Sequence, residues 1–357
     1  MRFPAGVSLV LLLARSVYPA GGSVEGMAGE IPGLPCPVAA YARGGRPGEL
    51  ASGLDGLLAH VWNGGQQEGE EESVPQSLRS LAEEIEAYRT AHYPETRVAF
   101  WAESMRHGLV CRSAEEVWPA ASGVKVFILL AAYRDFGDRW DSTPPELESI
   151  LGLEEGYDQP LRHFSASDRN RISRELRGMS YAELAYSMMG NNQDRIGNSA
   201  YNAAANVLIF LLGGDSGGCT ESIRGLDPEF DSVRIGRYML EGRTPENDNV
   251  CSLEDLVVAC KMVFEDKDGY STLAESFQRF TYEGCYHYQK HGHLSSRPGV
   301  NLWVGWIEKT DDVLVYGVWV VNENGASLGD EGADYYLDLI TGQLCSLMSL
   351  GWLNISV

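Results

Sequence analysis

The period of the apolar positions changes along the chain, and the changes outline a fold. "VPQSLRSLAEEIEAYRTAHY" sets Leu78, Leu81, Ile85 and Tyr88 on one side of a helix. "TRVAFWAES" and "GLVCRSA" are strand-like, and the "MRH" and Gly108 between them predict a hairpin. From Ser122 to about residue 280 the pattern is mainly helical, through "SYAELAYSMM", "AYNAAANVLIFLL", "SLEDLVVACKMVFE" and "STLAESFQRF". Strands return in "CYHYQKHGHLSS", "VNLWVGWIEK" and "VLVYGVWVVN", and "DYYLDLITGQLCSLMSL" closes the chain as a helix. No internal repeat is visible.

Strands at both ends with helices between predict an α/β (α+β) protein with one mainly antiparallel five-stranded sheet. The terminal helices cover one sheet face, and an all-helical subdomain over about 122–280 is inserted in the middle. A cleft between the two parts is the usual place for a site.

Before residue 74 the periodicity fails. Residues 23–73 are rich in Gly, Pro and Glu and read as a linker, with room for one short helix in "GELASGLDGLLAHVW". Residues 1–22 place Arg2 before an apolar stretch ending at Ala14, with small residues around Ala20 and Gly22. That resembles a signal peptide, so an exported protein with a folded domain over 74–357 is expected. Pro35 and the distance from the apolar run argue against a lipid anchor on Cys36. No other apolar run is long enough to span a bilayer.

Composition narrows the function. Hydrophobic residues make up 44 % of the 357, with 8 Trp, 17 Tyr and 10 Phe, enough for a substantial core. A formal net charge of −22 repels phosphate backbones and argues against a nucleic-acid partner. The charge balance says nothing about substrate, and a monomer is expected. The seven Cys (36, 111, 219, 251, 260, 285 and 345) show no metal-ligand spacing. Most read as buried small hydrophobes, and a bridge is open to an exported chain. His291 and His293 alternate on a strand without a third ligand, so neither a metal nor another cofactor is expected.

"AASGVKVF" carries the chemistry. Ser122 either starts a helix as its N-cap or attacks substrate there, where the helix dipole favours developing negative charge. Lys125, one turn on, can take the hydroxyl proton if burial lowers its pKa. In "QKHGHLSS", Lys290 can attract an anionic substrate group and Gly292 permits close approach to the strand; an ordinary bent strand has the same letters. Asn202, near the start of "NSAYNAAANVLIFLLGG", can hold a substrate amide or merely cap the helix.

Together, "VAFWAES…GLVCRSAEEVWPAASGVKV", "YAELAYSMM…YNAAANVLIFLLGG" and "YQKHGHLSSRPGVNLWVGWI" resemble the class A-type β-lactamases and related penicillin-interactive serine hydrolases. The motifs run in family order over about residues 76–350. The resemblance implies a β-lactamase/transpeptidase-like fold and an acyl-enzyme formed on Ser122. Lys125 would be the activating base, and the backbone N–H groups of Ser122 and His293 the oxyanion hole. Lys290, in Lys290-His291-Gly292-His293, would bind a substrate carboxylate, and Asn202 a substrate amide. Asn206 matches a downstream Asn of the family. The implied substrate is a β-lactam or a peptidoglycan-like peptide.

The sequence also departs from the family. S-D-N aligns with Ala200-Tyr201-Asn202, so the proton-relaying Ser is an Ala, and Ser199 sits one position early. A second alignment, on Asn192-Gln193-Asp194, loses the Ser too. K-[TS]-G has become Lys290-His291-Gly292. The family's deacylating Glu, in E-x-x-L-N, has no match; "RIGRYMLEGRTPENDN" offers Glu241, Glu246, Asn247 and Asn249 in another context. Slow deacylation follows, and a fold kept only for binding a ligand or the cell wall is the alternative.

Overall fold

The computed structural model describes residues 76–104, 106–152, 159–191, 195–310 and 312–350. The expected signal peptide, the linker and the Asn192-Gln193-Asp194 alignment lie outside them.

Helix α1 (Gln76–His92) leads into strands β1 (Arg97–Ser104) and β2 (Gly108–Arg112), which form the predicted hairpin. The late strands are β5 (Gln278–Tyr282), β6 (Cys285–Leu294), β7 (Gly299–Lys309) and β8 (Asp312–Asn322). All six join one sheet in the order β2-β1-β8-β7-β6-β5, each pair antiparallel. Strands from the two ends of the fold therefore meet at β1 and β8, as the element order implies. A separate pair, β3 (Trp118–Pro119) and β4 (Val250–Cys251), ties the entry of the helical region to its exit.

The sheet has one strand more than expected. "STLAESFQRF" reads as a helix, yet only its first part is helical, in a 3-10 stretch ending at Ser276. Glu283 and Gly284 both take positive φ, 46° and 79°, in a two-residue turn between β5 and β6. Turns of that hand match the twist of paired strands, so residues 278–282 fold back on 285–289. Cross-strand pairing overrides the local composition.

Two apolar clusters sandwich the sheet. On one face α1 packs with α9 (Asp330–Asp338), a π-helical turn (Leu339–Leu344) and α10 (Cys345–Leu350) against Phe100, Trp303, Tyr316 and Val318. The other face carries the helical region: α2 (Lys125–Phe136), α3 (Leu147–Gly152), α4 (Ala166–Leu176), α5 (Tyr181–Met189), α6 (Asn198–Gly213), α7 (Ser216–Arg224) and α8 (Leu253–Phe264). Leu256 of α8 and Leu302 and Val304 of β7 belong to this larger core.

Cys285 and Cys345 form a disulfide that ties the start of β6 to α10. Cys219, Cys251 and Cys260 are buried thiols and Cys111 is exposed, while Cys36 lies outside the described residues. Among the described residues, no helix is long and apolar enough to cross a membrane.

Candidate active site

Ser122 lies in a 3-10 turn, Ala121–Val124, that runs directly into α2. It does not cap the helix: neither Ala120 before the turn nor Val124 before α2 makes a side-chain cap. Ala121 enters the turn at φ 48°, a left-handed conformation costing a residue with a Cβ about 1–2 kcal/mol. Backbone strain of this kind concentrates at functional positions. The Ser122 hydroxyl is left to meet the Tyr201 hydroxyl, 3.5 Å away.

Lys125 opens α2 with its side chain completely buried. Burial pushes its pKa well below the usual lysine range, in the direction a base requires. Nζ donates to Asn202 Oδ1 at 3.0 Å and lies 3.7 Å from the centre of the Tyr201 ring. Asn202 Nδ2 in turn donates to the backbone and side-chain oxygens of Asn198. The Asn202 amide is thus engaged at both ends and orients Lys125. Within the described residues, no hydrogen bond joins Ser122 to Lys125; Tyr201 touches both.

Tyr201 is the site residue that sequence reasoning missed. In "AYNAAAN" it reads as one more aromatic on a helix, and the aligned Asp of S-D-N gave no hint of a hydroxyl. Ser199 faces elsewhere: it accepts from Arg171 Nη2 at 2.9 Å, on α4. Ala200 is core.

Strand β6 forms the other wall. Its alternation sends Lys290 and Gly292 toward the Ser122 turn and His291 and His293 to the opposite face. Gly292 is needed for this approach, because a Cβ there would lie 3.2 Å from Ser122 N, Gly123 N and the Ala121 Cβ. The sequence reading gave this glycine to the approach of substrate; in the structure the Ser122 turn also packs against it. Lys290 is nearly buried and donates to the Met189 carbonyl, 3.3 Å away, at the end of α5. Helix α5 stops there because Gly190 turns left-handed at φ 98°. Burial lowers the Lys290 pKa to about 8, with Tyr201 raising it and Lys125 lowering it further.

The two imidazoles do not enter the cleft. His291 stacks on Trp303 of the second cluster at 5.3 Å, and His293 shares a 2.7 Å hydrogen bond with Ser327. Only the backbone of His293 remains available for an oxyanion. Strand β5 stops pairing at Gln289, so residues 290–294 have a strand neighbour on the β7 side alone. Among the described residues, no group of three or more His, Cys, Asp or Glu could hold a metal ion.

The loop between α7 and β4 contains "RIGRYMLEGRTPENDN". Asn206 on α6 holds it: Oδ1 accepts from Met239 N at 2.6 Å and Nδ2 donates to the Met239 carbonyl at 3.2 Å. Arg237 and Arg243 close the loop on Asp248, and Asn249 Oδ1 accepts from the N–H groups of Gly236 and Arg237. The residue so clamped is an apolar Met. Glu241 is already used, one oxygen accepting from Arg162 at 2.8 Å and the other from Tyr238 N at 3.2 Å. Burial raises its pKa, but these donors outweigh it and hold the carboxyl below its ordinary value. Within the described residues, no carboxylate is hydrogen-bonded to Ser122 or Lys125.

No protein-family model matches this sequence, and no curated protein matches it. Solved structures do. A β-lactamase from Sphaerobacter thermophilus is similar with a TM-score of 0.54 and 17 % identity, covering 74 % of this chain and 97 % of that one. The β-lactamase of Streptomyces albus G gives a TM-score of 0.54 and 16 % identity over 75 % and 99 %. A class A β-lactamase from Mycobacterium abscessus gives 0.51 and 20 % over 78 % and 100 %. At these identities the likeness is one of architecture, and it extends over nearly the whole of each of those enzymes: this protein has the β-lactamase/transpeptidase-like fold.

Proposed function

We propose that the protein is a serine hydrolase of the β-lactamase/penicillin-binding type. It forms an acyl-enzyme on Ser122 with a β-lactam or a peptidoglycan-like amide or ester, and releases it slowly. The observation that carries this reading is the fully buried Lys125, whose pKa burial lowers, one helical turn from a serine whose hydroxyl is not spent on capping. Lys125 takes the Ser122 proton as Oγ attacks. The backbone N–H groups of Ser122 and His293 receive the negative charge on the substrate oxygen. Lys290 holds the substrate carboxylate. Release is slow because activating water on the ester needs a general base, typically worth about 10²–10⁴-fold, and Glu241 is tied to Arg162. The Cys285–Cys345 bridge supports an oxidising, exported location.

Intact-mass measurement after incubation with benzylpenicillin tests the reading. A stoichiometric adduct is expected on the wild-type protein and none on Ser122→Ala. A chromogenic cephalosporin should give one burst followed by slow turnover. Absence of any adduct would favour a second reading, a binding module for ligand or wall. The missing Ser122–Lys125 hydrogen bond is the observation on that side.

A further inference from the structure

Breaking an amide or a β-lactam ring requires a proton for the leaving nitrogen, and the aligned S-D-N segment has lost its serine. Ala200 has no proton to give, and Ser199 is bound by Arg171 on α4. Tyr201, however, brings its hydroxyl to 3.5 Å from Ser122 Oγ. In the tetrahedral intermediate Oγ and the leaving nitrogen are bonded to the same carbon, so the nitrogen sits next to the oxygen that the Tyr201 hydroxyl faces.

We infer that Tyr201 is a catalytic residue, its phenol handing a proton to the leaving nitrogen as the acyl-enzyme forms. The inference rests on the acyl-transfer reading above and adds a residue to it. Ser122 Oγ bonds to the acyl carbon while its proton passes to the Lys125 amine. The carbon–nitrogen bond breaks with its electron pair on nitrogen, which takes the Tyr201 proton. The Lys125 ammonium then returns a proton to the phenolate, so both residues end as they began and the nitrogen becomes a neutral amine, freed from an open-chain amide or still tethered in an opened β-lactam.

The surroundings suit that cycle. Once protonated, Lys125 lies over the face of the Tyr201 ring, 3.7 Å from its centre, where the π-cloud favours a cation. Lys290 also interacts electrostatically with Tyr201, from the β6 side. Two positive groups therefore face the residue that carries transient negative charge. The ring itself is half-buried on the first turns of α6, next to Asn202, which fixes Lys125. One helical segment thus positions both proton-handling groups.

Tyr201→Phe is the test, since it keeps the ring beneath Lys125 and removes only the hydroxyl. Two reagents are compared on the same serine: benzylpenicillin, whose nitrogen must be protonated, and a fluorophosphonate, whose fluoride leaves without a proton. The variant should acylate with penicillin roughly 10²–10⁴-fold more slowly, the usual worth of a positioned general acid, while its fluorophosphonate rate stays close to wild type. Equal slowing with both reagents would reduce Tyr201 to a prop for Lys125, and an unchanged penicillin rate would remove it from the reaction; either overturns the inference alone. If neither reagent labels the wild-type protein, the acyl-transfer reading fails and the proton carrier with it.

Discussion

The Ser122 corner and the loop that Asn206 clamps both border α6, yet they are built to opposite effect. At the corner, a strained turn, a buried amine and a phenol converge within hydrogen-bond or van der Waals distance. On the loop, hydrogen bonds are just as dense, but they join arginines to Asp248 and backbone to Asn206 and Asn249, and the clamped residue is Met239. Polar groups at the corner have reactive neighbours; those on the loop are spent on holding its shape. One border of a helix can therefore gather groups able to react while its other border serves stability alone.

The sharpest way to break this contrast is Lys125→Met, which fills the buried space without a base. Acylation, followed by mass, should fall about 10²–10⁴-fold. A rate near wild type would place the base elsewhere. Gly292→Ala comes next. Its Cβ would press on the Ser122 and Gly123 nitrogens from 3.2 Å and push the turn off β6. Acylation should drop by about tenfold, with only a small fall in Tm, because misplacing a nucleophile costs rate more than stability.

A smaller effect comes from pH. Lys290 has a folded-state pKa of about 8, below the ordinary lysine value, so the unfolded chain binds more protons between those limits. Relative to Lys290→Met, wild-type stability should therefore rise with pH above about 8, by up to ~3 kcal/mol, readable in Tm. Capture of an anionic β-lactam should weaken over the same range as the ammonium is lost. The smallest expected effect tests the loop: Glu241→Gln should leave the adduct lifetime unchanged. A clearly longer lifetime would make Glu241 a deacylating base and erase the contrast.

How much of this is legible in the sequence follows from the range of the interactions involved. Strand and helix periods are local, and the order of elements is enough to bring both ends into one sheet. Ser122, Lys125 and Lys290 are legible because the spacing of a turn and a strand fixes their direction. Strand β5 is not, since "FQRF" pairs only because the Glu283-Gly284 turn reverses the chain. Tyr201 is not, since its meaning depends on a serine on another element. Where the His291 and His293 side chains go shows only with the sheet, because adjacent strand positions face opposite layers and each imidazole finds a partner on another element. The loop resists reading altogether: Asn and Asp side chains bonding backbone leave no hydrophobic period behind.

The placement of β1 beside β8 has a consequence for how the molecule forms. Arg97 faces Val321, and Ser104 faces Leu314, so an interior pair of the sheet joins the beginning of the domain to its last strand. Pairing so remote in sequence is slow, because a long loop must close before any contact rewards it. During synthesis β1 has to wait, with only β2 for company, until nearly the whole chain has emerged. Ser122 cannot meet Lys290 before then either, because Gly292 seats the turn on a strand made late. A chain cut short before β6 therefore cannot assemble the Ser122 corner.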